Sequence, residues 1–171
     1  MGKEPVDMEK VLPKFQKRMN YTDEEMNKWL SFPQYQEMVR NSENFMKSRI
    51  VAEVIEARGC MAGHEIGQKI VMDGNGVLIR EECPERMCVF LLGPLMTFVT
   101  TFMQAFKDNT DPNGIIWPRF RCIDLGVERG GWGLVLCKLY AEGPLADRFR
   151  PEKKRGFIDD SSNTGVSGFK G

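Results

Sequence analysis

The spacing of apolar and polar positions changes along the chain. Over residues 1–48 the apolar positions recur at helical spacing. In "YTDEEMNKWL", Thr22 and Glu25 stand as the two ends of a capping box, and Met26, Trp29 and Leu30 then share one face. Pro33 restarts the helix, with Tyr35, Met38 and Val39 as the next stripe. This reads as a helical N-terminal arm that packs on its own domain or on a partner. From residue 49 to 82 the pattern is that of strands. "RIVAEVIEARG" is a Val- and Ile-rich strand, and "HEIGQKIVMDGNGVLIREE" holds two alternating runs that meet at "DGNG", a hairpin signal. A long apolar helix is predicted from Pro84 to about Lys107, broken or kinked near Pro94. "DNTDPNG" is a loop. "WPRFRCIDLGVE" and "WGLVLCKLYAE" then read as two strands joined across Gly130 and Gly131.

Helices, strands, a long helix and strands again make an α+β pattern rather than alternating βαβ units, which argues against a doubly wound nucleotide fold. The expected architecture is a small antiparallel sheet packed on the long apolar helix, with the helical arm at residues 1–48, the α+β core at 49–149 and a flexible tail at 150–171. The tail is polar and rich in Gly and Ser, with a basic cluster at Lys153, Lys154 and Arg155. Phe157 and Phe169 are its candidate anchors on a partner subunit.

The chain has 171 residues, enough for one domain with its own core. Its 24 basic residues balance its 24 acidic ones, so no net charge directs it to nucleic acid or to a membrane. "MGKEPVDMEK" has no apolar run of the kind that opens a signal peptide, and Gly2 is followed by Val6 where myristoylation wants Ser or Thr. The run from Met87 to Phe106 has the length of a membrane span. Its Gly93–Pro94 interruption and its threonines favour a buried helix. Five cysteines, an odd number with no CxxC pair, favour a reducing cytoplasm and free or metal-bound thiols.

Candidate chemistry centres on "GCMAGHEIG", where Cys60 stands four residues before His64, the sole histidine. Histidine is the side-chain type whose unperturbed pKa lies nearest neutrality. A tight structural turn is the alternative reading. Cys83, just before Pro84, is expected at the N-cap of the long helix, where unpaired N–H groups favour a thiolate; Glu81, Glu82 and Glu85 act against it. Strand alternation sets Phe120, Cys122 and Asp124 on one face, and an inward Asp124 needs a cation or a metal as its partner. Cys88, inside the helix, and Cys137, inside a strand, read as core.

Two uses of these residues follow. Cys60, His64, Cys83 and Cys122 would close a Cys3His site for zinc or iron. Alternatively, Cys60, Cys83 or Cys122 serves as a nucleophile with His64 as base, and Asp124 or Glu65 orients the ring. No Walker loop, GxSxG or HExxH motif is present, and "ERGGWG" lies between strands as a turn.

Taken together, "RIVAEVIEARGCMAGHEIGQKIVMDGNG", "ECPERMCVF" and "RCIDLGVERGGWGLVLCKL" resemble a family of small uncharacterised proteins common in anaerobic bacteria and archaea. The positions that match its pattern are Cys60, Gly63, His64, Gly67, Cys83, Pro84 and Cys122, within residues 49–142. Where the family carries a proline after the last cysteine, this chain has Ile123. The resemblance implies that the three cysteines and His64 act as one set. It carries no activity over. The expectation is a cytoplasmic metal-binding or thiol-bearing accessory protein, a homo-oligomer or small subunit of an anaerobic enzyme. A stand-alone small-molecule lyase or hydrolase, and an interaction module with structural cysteines, are the alternatives.

Overall fold

The computed structural model describes residues 7–150. Helices α1 (Met8–Met19), α2 (Asp23–Leu30), α3 (Pro33–Arg40) and α4 (Ser42–Lys47) come first. The predicted capping box forms at α2. Thr22 Oγ1 accepts from the Glu25 N–H at 3.2 Å, and the Glu25 carboxylate accepts from the Thr22 N–H at 2.8 Å. An aromatic stack ties these helices together, with Phe15 and Trp29 ring centroids 4.6 Å apart and Trp29 and Tyr35 4.8 Å apart. α1 buries no residue completely.

α4 behaves differently. Asn44 and Phe45 are buried, and Phe45 meets Phe106 edge-on. The Asn44 amide donates to the Phe106 carbonyl at 2.9 Å, and the Asn41 amide donates to the Lys107 carbonyl at 2.7 Å. These carbonyls lie in the last turn of the long helix, where donors four residues on run out; the C-cap Asn109 N–H reaches the Phe106 carbonyl at a long 3.4 Å. The stretch expected to be an arm therefore ends inside the core.

β1 (Arg49–Arg58), β2 (Lys69–Asp73), β3 (Arg119–Arg121) and β4 (Leu134–Glu142) form one antiparallel sheet in the order β2-β1-β4-β3. The "DGNG" turn is held by Asp73 Oδ1, which accepts from the N–H groups of Asn75 and Val77. The second run of that hairpin, expected as a strand, pairs as an isolated bridge at Leu78 opposite Met72, with the Asp73 N–H donating to the Val77 carbonyl and the Ile79 N–H to the Val71 carbonyl. It then turns off into a short 3₁₀ turn, Arg80–Glu82. The strand expected in "WPRFRCIDLGVE" is likewise reduced to Arg119–Arg121.

The long helix is α5 (Val89–Asp108). It starts five residues after the expected Pro84 and runs unbroken through Pro94. Proline has no N–H to give the carbonyl four residues back. That carbonyl, on Phe90, accepts instead from the Ile123 N–H at 3.1 Å, which joins the helix start to the chain after β3. By length and composition α5 could cross a membrane. Here it lays Leu91, Leu95, Phe102 and Phe106 on the inner sheet face, against Ile50, Ala52, Val54, Ile70, Val135, Cys137 and Leu139. Its other side carries the exposed Val89, Phe90 and Met96. α6 (Pro144–Phe149) closes the core with Leu145 and Ala146. Gly2, and all of the expected 150–171 tail but its first residue, including Lys153, Lys154, Arg155, Phe157 and Phe169, lie outside the described residues.

Two substitutions test this core. Phe102 is fully buried, so Phe102→Ala is expected to lower unfolding free energy by about 3–5 kcal/mol. Asn44→Ala takes the shorter-range donor from the Phe106 carbonyl, which keeps the Asn109 N–H at 3.4 Å, and is expected to cost about 0.5–1.5 kcal/mol. Urea unfolding of the two variants beside the wild type measures both.

Candidate functional site

The end of β1, the loop over residues 59–68, the start of α5 and the connection from β3 to β4 meet at one end of the sheet. Two glycines let them meet. Gly59 has φ +62°, and a Cβ there would stand 2.6 Å from the Trp132 carbonyl oxygen; a Cβ on Gly133 would stand 2.2 Å from that of Arg58. The backbones cross in contact and part beyond the crossing, around a cavity of about 130 Å³. Its walls include Cys60, His64, Cys88, Leu91, Cys122 and Val135. The exposed Met61, Phe90 and Trp132 form its mouth.

His64 is held by a compact turn. The Gly63 N–H donates to the Cys60 carbonyl at 3.0 Å, and the Gly67 N–H and the Gln68 carbonyl both pair with Val54 of β1. The ring is 4 % exposed. Its Nδ1 lies 3.3 Å from Gln68 Oε1, and that same oxygen accepts from the Glu65 N–H at 3.2 Å. The Gln68 atom is thus the acceptor end of its amide, so Nδ1 is the donor. The proton of the neutral ring sits on Nδ1, and Nε2 keeps a lone pair. Nε2 is buried and has no hydrogen-bond partner. Such a group costs about 1–3 kcal/mol when left unsatisfied.

Three of the expected site residues, Cys60, His64 and Cys122, share this cavity, and Asp124 borders it. Cys83 is elsewhere. It follows the 3₁₀ turn rather than capping α5, and its Sγ accepts from the Val71 N–H at 3.3 Å and donates to the Val71 carbonyl at 3.4 Å. Cys88 takes its place in the wall. It is the N-cap of α5, half-buried and without a side-chain cap bond, where the sequence reading had put it inside the helix. The available signal was the apolar run itself, which begins only at Met87, after the charged Glu85 and Arg86.

Asp124 does not need the cation or metal expected as its partner. Its Oδ1 accepts from the N–H groups of Gly126 at 2.9 Å and Trp132 at 3.0 Å. The Gly126 N–H above all, with Gly133, Trp132 and the Arg121 charge adding, holds its carboxyl below the usual 3.8. Glu65 is exposed, and the part of orienting His64 falls to Gln68. Cys122 Sγ accepts from the Val135 N–H at 3.3 Å. Burial, with Cys122 nearby, pushes the Cys137 thiol up to about 12.

No thiol reaches Nε2, so a nucleophile and its base are not paired. Among the described residues, no three His, Cys, Asp or Glu side chains come close enough together to hold a metal ion. Compared with known proteins, the chain matches no family model, no curated protein and no solved structure.

The Asp124 loop has a pH signature. A carboxyl with a depressed folded pKa stabilises above its unfolded value and loses that stabilisation as pH falls through the folded one. Asp124→Asn is therefore expected to be less stable than the wild type at neutral pH and to lose less on acidification below 3.8. Urea midpoints taken from about pH 6 down to about pH 2 give the comparison.

Proposed function

We propose that this chain is a thiol-bearing protein that binds a small molecule in the cavity walled by Cys60, His64, Cys88 and Cys122. The observation that carries the proposal is His64 Nε2, a buried acceptor with no partner, on a residue that lines this cleft. Folded proteins satisfy nearly all such groups, and a bound ligand supplies the missing bond. The three thiols add soft, polarizable surface that also reacts with electrophiles once deprotonated.

Zinc or iron held by Cys60, His64 and Cys122, with Cys88 in the part expected of Cys83, is the competing reading. Their common cavity supports it, and the separation of their donor groups weighs against it. A lyase or hydrolase built on a Cys–His pair has less support, since His64 hydrogen-bonds to no thiol.

Metal analysis of untagged, anaerobically purified chain, with mass-spectrometric mapping of iodoacetamide alkylation over time, separates the readings. We expect substoichiometric metal. We expect Cys60 and Cys88 to alkylate first, Cys122 more slowly and Cys137 last, given its burial and raised pKa. A stoichiometric metal that protects Cys60 and Cys122 would replace the proposal with a metal site. Five uniformly slow thiols would leave the cysteines as packing alone.

A further inference from the structure

We infer that the ligand of this cavity is a compact, uncharged, largely apolar molecule that donates one hydrogen bond: a hydroxyl or thiol compound the size of phenol. The inference rests on the binding role proposed for the cavity and adds the chemistry of what is bound. Size comes first. The volume of about 130 Å³ is close to that of the roughly 150 Å³ cavity known to take up benzene.

Charge comes next. The wall is made of Leu91, Val135, Phe90 and cysteine sulfur, and its charged residue is Asp124. That carboxylate is already engaged by the backbone N–H groups of Gly126 and Trp132. Arg58, Arg121 and Arg129 line the neighbouring groove on the other side of Trp132 instead. The wall holds no cation to offset the burial of an anionic ligand, and Asp124 Oδ1 already has its two N–H donors.

The direction of the hydrogen bond is set by Gln68. Because its oxygen accepts from both Glu65 N–H and Nδ1–H, the ring presents Nε2 as an acceptor. A ligand with only a carbonyl or ether oxygen would leave Nε2 bare, whereas a hydroxyl or thiol satisfies it. Water is a poor competitor, because a buried water needs two to four polar partners and this wall is mostly apolar.

The test uses the full, untagged chain with ¹⁵N-labelled histidine. His64 is its sole histidine, so the two ring signals need no assignment by mutation. Phenol, the near-isosteric fluorobenzene and benzoate are titrated in turn. At about pH 8.5, where an unperturbed imidazole is neutral, the free protein is expected to show Nδ1 protonated and Nε2 bare, with phenol shifting the Nε2 signal. Phenol is expected to bind about tenfold more tightly than fluorobenzene, the worth of one hydrogen bond. Benzoate is expected to bind at least about a hundredfold more weakly than phenol.

In His64→Phe the preference for phenol over fluorobenzene is expected to vanish. Should that variant not fold, the wild-type signals and affinity ratios still decide. A protonated Nε2 in the free chain, equal binding of phenol and fluorobenzene, comparable binding of benzoate, or no binding of any probe would each overturn the inference. The alkylation and metal results bear on the thiol site alone, so a thiol-reactive cavity that ignores phenol would separate the two failures.

Discussion

Pro94 withholds an N–H from the carbonyl of Phe90, and the cavity depends on what that carbonyl does instead. It takes the Ile123 N–H, and so fixes the first turn of α5 to the chain between β3 and β4. The buried stripe of Leu91, Leu95, Phe102 and Phe106 holds the helix along the sheet by packing. The hydrogen bond at Phe90 adds a directional tie at the helix's first turn. Cys88, Phe90 and Leu91 then stand as one wall, Cys122 and Asp124 as the next, and the turn carrying His64 as the third. A residue that weakens a helix locally has become the joint between helix and sheet.

The parts of this fold that were legible in the sequence are those governed by short-range rules. The capping box of Thr22 and Glu25, the "DGNG" turn and the apolar helix each follow from neighbours a few residues apart, and each formed. The misplacements share a different cause. Cys83 next to Pro84 looked like a helix start, but the backbone of Val71 takes up its sulfur across the fold, and α5 waits for the apolar run. Asp124 looked like an inward charge in search of a cation. A loop that doubles back on it provides three backbone partners, and none of them can be read from alternation. The gathering of Cys60, His64 and Cys122 was legible as residue types, but Cys88 was not, because its role follows from where the helix begins. The tautomer of His64 lay out of reach of the sequence for the same reason: it is set by Gln68, whose oxygen serves two donors at once.

The two outer strands show how unusual partners complete the backbone. On one side the Val71 N–H of β2 ends on the sulfur of Cys83, and the Ile79 N–H covers the Val71 carbonyl. On the other, β4 extends past the three residues of β3, yet its N–H groups are met in turn. Cys122 sulfur accepts from Val135, the Pro118 carbonyl accepts from Leu139, and the Asn113 side-chain amide pairs with both backbone groups of Ala141 as a neighbouring peptide would. β3 itself is short, follows a proline and carries Arg119 and Arg121 outward. A sheet finished this way offers no long row of open donors and acceptors to a stray strand from another molecule. The chain can therefore keep a small, half-open sheet without inviting the edge-to-edge stacking that leads to fibres, and two of its cysteines spend their sulfur on that protection.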